Sequence, residues 1–64
     1  MFNLVGIDGN AFSIMGYTAK AMKQSGFTND DVEKMYSDAE SGDYNHLLMV
    51  CDNWIAKCNE RCDD

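Results

Sequence analysis

Apolar residues recur along the chain in two different rhythms, and the change from one to the other marks the elements. Phe2, Leu4 and Ile7 alternate loosely and run into Gly6-Ile7-Asp8-Gly9-Asn10, which predicts a short extended segment ending in a turn. No second strand is evident, so the segment either packs as an arm or pairs with its copy in another chain. From Ala11 to Gln24 the spacing becomes helical, with Asn10 or Asp8 as N-cap and Gly26 just past the end. Ala11, Phe12, Ile14, Met15, Thr18, Ala19, Ala21 and Met22 cover nearly half the circumference of that helix, and Ser13, Lys20, Lys23 and Gln24 lie opposite. An apolar arc this wide belongs to the central helix of a bundle or to one covered on a second side by another chain. Gly16, which costs about 1 kcal/mol against Ala inside a helix, points to close approach of another backbone.

A second helix is predicted to start at Thr28, whose hydroxyl caps it while Asp30, Asp31 and Glu33 occupy the positive first turn. Val32, Met35, Tyr36 and Ala39 make one narrow stripe, and Gly42 is the expected stop. A third helix follows from Asp43 as N-cap to about Arg61, with Leu47, Cys51, Trp54, Ile55, Cys58 and Cys62 within an arc of about 100°. Met49, Asn53 and Ala56 fall on its far face, which makes Met49 a candidate contact residue rather than a core one. The whole chain, residues 1–64, therefore reads as one all-α domain, a compact three-helix bundle with a short extended N-terminal arm.

Charge adds an asymmetry. Asp8, Lys20 and Lys23 leave residues 1–27 at +1, whereas ten acids against Lys34, Lys57 and Arg61 leave residues 28–64 at −7. Such a chain is unsuited to a duplex phosphate backbone, where affinity comes from Lys and Arg displacing counterions. It suits a partner with a basic surface, although a solvated acidic face would look the same. No apolar run approaches the roughly 20 residues of a membrane span, and the first residues lack the pattern of a signal peptide. A cytoplasmic protein is expected.

Recognisable catalytic chemistry is sparse. His46 is the only histidine, sits on the polar side of the third helix's first turn and is expected to be solvent-exposed; Cys51 lies on a different face, so the two form no couple. Cys51, Cys58 and Cys62 are an odd number in one helix, which argues for reduced, small apolar core residues rather than a disulfide framework. One chain offers at most two neighbouring thiols to a metal, so no metal or other cofactor and no enzymatic activity are expected.

Asp8-Gly9-Asn10-Ala11-Phe12, Met15-Gly16, Ser41-Gly42-Asp43-Tyr44 and His46-Leu47-Leu48 together resemble a group of small phage and prophage proteins, across most of the chain. That resemblance implies a phage-like setting in a bacterial cell and no particular activity. Ser25-Gly26-Phe27, Gly42-Asp43 and Leu47-Leu48 are more weakly similar to ubiquitin-associated-type three-helix bundles, with the spacing off by about one residue, which bears on the fold alone.

Three functions are compatible with these readings. The first is a non-catalytic protein acting stoichiometrically on a host component, such as a defence protein, through Asp30, Asp31 and Glu33 and through Met49 and Asn53. The second is an oligomeric sponge for a small nucleotide signal, with backbone amides around Gly9 and Asn10 cradling the phosphate and Lys20 or Lys23 supplied across an interface. The third is a self-associating structural or regulatory accessory protein. In each case a homo-oligomer is expected, a dimer being the simplest, with Phe12, Met15 and Gly16 at its interface.

Overall fold

The computed structural model describes residues 2–62, and among them the chain forms three α-helices and no strand: α1 (Ala11–Gln24), α2 (Asn29–Ala39) and α3 (Tyr44–Cys62). The all-α three-helix bundle is thus the observed architecture. Every helix packs against the other two. Their shared interior contains Met22, Met35, Thr18, Cys51 and Cys58 with almost no exposed surface, surrounded by Ile14, Met15, Val32, Leu47, Val50 and Ile55.

Local chemistry sets the helix ends. The Asn10 side chain accepts from the Phe12 amide at 2.8 Å, so Asn10 is the N-cap of α1, and Asp8 accepts from the Asn10 amide at 3.3 Å instead. At the other end Phe27 N–H bonds Met22 C=O at 3.0 Å and Gly26 N–H bonds Lys23 C=O at 3.2 Å, with Gly26 at φ 91°. That double closure needs a left-handed residue at position 26, which glycine adopts without a Cβ penalty. Thr28 and Asp31 form a reciprocal capping box on α2, and Asp43 Oδ1 accepts from the His46 amide at 2.9 Å to cap α3.

The N-terminal segment packs as an arm. Phe2 N–H donates to Asn59 Oδ1 at 2.7 Å and Phe2 C=O accepts from Asn59 Nδ2 at 3.0 Å, so one side-chain amide supplies both bonds that a partner strand would. Asn3 N–H donates to the Tyr17 hydroxyl at 3.0 Å, and the Phe2 ring meets Tyr17 edge-on at 6.4 Å between centroids. With α2, α3 and the arm around it, α1 buries most of its wide apolar arc within the chain. Phe12, at the edge of that arc, is the large residue left out, 77% exposed.

Three expectations are corrected. Gly42 does not terminate α2 as a left-handed residue: the helix closes at Glu40 in right-handed geometry, with the Ser41 hydroxyl donating to Asp38 C=O. Gly42 is required by His46, since a Cβ at position 42 would lie 2.7 to 2.8 Å from three carbons of the histidine side chain. Accordingly His46 is not a free surface side chain; its Nε2 lies 2.9 Å from Asp38 C=O and 3.4 Å from the Asp38 carboxylate, joining the end of α2 to the start of α3. Gly16 is no close-approach site within the chain, because a Cβ there would meet nothing within 4 Å.

These two glycines should respond oppositely. Gly42→Ala is expected to lose about 1–3 kcal/mol in urea unfolding from overpacking against His46, and to lose much less when His46→Ala is already present. Gly16→Ala should gain about 0.5–1 kcal/mol from helix propensity. Additive losses at positions 42 and 46, or destabilisation by Gly16→Ala, would contradict this packing.

Candidate functional site

The bundle has two dissimilar ends. At the end where α1 finishes, Phe27 stands edge-on to Trp54 at 5.4 Å, the Arg61 guanidinium lies 3.7 Å from the Phe27 ring centre and Lys57 Nζ lies 4.4 Å from that of Trp54. Aromatic faces there are covered by cations, and Arg61 also reaches Ser25 C=O at 3.4 Å. This end is sealed.

The opposite end is open. The first turn of α1, the last turn of α2 and the start of α3 surround a groove of about 310 Å³ with Phe12 and Tyr44 on its walls. Met15, Ala39 and Leu47 line it from the core, each under a tenth exposed, while Tyr44 is 45% exposed. The Tyr44 hydroxyl donates to Gly9 C=O, which ties the turn before α1 to α3 and fixes one wall. Glu40 and Asp43 stand at the rim. The groove is at the small end of ligand pockets, about 300–1,000 Å³, and suits one or two anchoring side chains.

The charge around it has one sign. Glu40 and Asp43 are the charged residues of its lining, and residues 1–19 and 35–56, which supply all of that lining, contain no Lys or Arg. Among the described residues no Lys or Arg side chain lies within ion-pair distance of a carboxylate. Glu40 is exposed and makes no side-chain contact with a cation, so the rim retains its negative field.

Sequence-derived candidates are distributed unevenly over this framework. Phe12 and Gly16 are exposed one helical turn apart, whereas Met15 is 3% exposed and lies at the floor of the groove as part of the core. Asp30 and Glu33 are exposed at the start of α2, and Asp31 is occupied by the capping box. Met49 is 53% exposed on the outer face of α3, and Asn53 borders the arm beside Phe2, Asn3 and Leu4. No hydrogen bond or ion pair among the described residues joins the α2 acids to Met49 or Asn53. Gly9 and Asn10 are engaged in the Tyr44 bond and the α1 cap, and Lys20 and Lys23 lie roughly 15 Å and 20 Å farther along α1 at 1.5 Å per residue. One chain does not bring those lysines to that turn. Tyr44 and the groove were not singled out from the sequence; the signal was present in the two turn-to-helix junctions around Phe12 and Tyr44, which the fold places face to face.

Cys51 and Cys58 are buried, as expected of core residues, and Cys62 lies where no side chain is described. Among the described residues no three His, Cys, Asp or Glu side chains cluster as metal ligands, and no helix is long and apolar enough to cross a membrane. Comparison with family models, with curated proteins and with solved structures finds no match to this chain.

Burial pushes the Cys51 thiol above its ordinary range, the Thr18 hydroxyl beside it pulling less strongly the other way. The folded protein therefore keeps a proton that the unfolded chain releases near pH 8.5, so this contribution is complete below that pH and is lost as pH rises towards the folded-state value. The urea midpoint should fall between about pH 8 and pH 10, with a shallower fall in Cys51→Ala. Equal slopes in the two proteins would show that Cys51 carries no such linkage.

Proposed function

We propose that this protein is a non-catalytic binding protein that acts by stoichiometric association with another protein through its open end. The observation that carries the reading is Phe12, a large aromatic side chain left 77% exposed beside Tyr44 although the core is complete without it. Large exposed aromatics clustered over a groove are typical of contact surfaces, where they supply anchoring area at low entropic cost. Among the described residues the chain's one histidine is held in a structural clasp and its two described thiols are buried, which leaves little for a nucleophile or general base to be built from. The acidity of the chain favours a protein partner over a phosphate backbone. In the phage-like setting that the sequence resembles, the partner would be a host component, such as a defence protein, met in the bacterial cytoplasm.

Native mass spectrometry of the protein recovered gently from bacterial cells tests this, with Phe12→Ser as the control. The wild-type chain is expected to carry another protein in fixed ratio and the variant to be recovered without it, while their thermal stabilities agree within about 0.5 kcal/mol. A bare chain in both preparations, a complex indifferent to Phe12, or retained mass of nucleotide size instead of protein would overturn the reading.

A further inference from the structure

We infer that the occupant of the Phe12–Tyr44 groove is a basic amphipathic segment of another protein, presenting an aliphatic or aromatic anchor flanked by Lys or Arg. This deepens the binding-protein reading and rests on it. The apolar requirement comes from the groove, whose walls are Phe12 and Tyr44 and whose inner surface is made by Met15, Ala39 and Leu47. The charge requirement comes from its surroundings: Glu40 and Asp43 at the rim and Asp8 beside Gly9, in stretches of chain devoid of Lys and Arg. A cation entering from the partner would meet these carboxylates unpaired, since among the described residues no Lys or Arg side chain lies within ion-pair distance of them, and Lys57 and Arg61 lie over Trp54 and Phe27.

The same charges disfavour a second copy of the chain. In a two-fold contact the same patch faces itself, so Glu40 and Asp43 of one copy would oppose those of the other across the groove. A neutral apolar segment would fill the volume but leave the rim carboxylates facing a partner without compensation. Basic flanks convert that cost into steering and selectivity. The groove's size limits the anchor to one or two side chains, which places the remaining recognition on the rim.

Fluorescence anisotropy with three labelled peptides of about 15 residues, a length at which a helix can begin to form, tests the assignment. One combines Leu with Lys in helical spacing, the second replaces Lys by Glu, and the third replaces Leu by Ser. The Leu–Lys peptide is expected to bind the full-length protein best, to lose about tenfold or more in affinity to Phe12→Ser, and to lose about threefold or more to Glu40→Lys. Glu40 serves for the reversal because its side chain caps nothing, and circular dichroism of both variants should match the wild type. Equal binding of the Leu–Lys and Leu–Glu peptides would overturn the charge requirement, and equal binding of the Ser–Lys peptide would overturn the anchor. Binding indifferent to both substitutions would remove the groove as the site. If no peptide binds but sedimentation shows a dimer that Phe12→Ser dissociates, the occupant is a second copy and this inference fails. Peptide failure alongside a Phe12-dependent complex from cells rejects only the partner chemistry, whereas Leu–Lys binding with a bare chain from cells rejects the cellular reading alone.

Discussion

Narrow and flexible side chains dominate the centre of this bundle, and the rest of the molecule follows from that choice. Met22, Met35, Thr18, Cys51 and Cys58 are its most completely buried residues, with Ala19, Ala21 and Ala39 among their neighbours in the core. Small residues let helices approach closely, and methionine adapts to the irregular gaps that remain. The Thr18 hydroxyl is accommodated because it donates to Ile14 C=O one turn back at 2.8 Å, so the centre holds no unpaired buried side-chain oxygen or nitrogen among the described residues. A domain of this size has little interior to offer, and a core of narrow side chains leaves the larger aromatics to its margins.

Those margins are where the two ends diverge. Phe2 and Tyr17 pack with the arm, and Phe27 and Trp54 close the far end beneath Arg61 and Lys57. Phe12 and Tyr44 receive no comparable cover. At their end the α2–α3 connection is short, with His46 packed over Gly42 and directed at Asp38, and Gly42 and Asp43 line the groove together with Ala11 and Phe12.

Helix boundaries were legible in the sequence because they are set by local chemistry: Asn10, Thr28 and Asp43 each have a side-chain oxygen at the right offset, and Gly26 supplies the left-handed closure of α1. The core faces were legible in outline, since helical spacing selects one side of each helix. Val50 was missed because it lies off the central stripe of α3 and is buried only because α3 packs against both other helices. What periodicity does not encode is long-range polar pairing. The clasp of Asn59 on Phe2 spans 57 residues, and the bond from Tyr44 to Gly9 spans 35. Gly42 and His46 show the same limit at short range: a glycine before a helix reads as a stop signal, and only the position of the ring reveals that the missing Cβ makes room for it.

The candidate site was legible in composition but not in place. Acids at the start of α2 stood out because they cluster in sequence, yet none of the three stands at the apolar groove. The acids that do stand there, Glu40 and Asp43, are separated by the turn that creates the groove and look unremarkable in the chain. A negative rim has little consequence around a polar surface, where water screens each carboxylate. Around Phe12 and Tyr44 it acts differently, because docking an apolar anchor excludes water from the same region and strengthens every charge contact at its edge. Exposed aromatic area and uncompensated charge are each common on protein surfaces. Their coincidence at the groove between Phe12 and Tyr44 is what the proposed basic, apolar-anchored partner rests on.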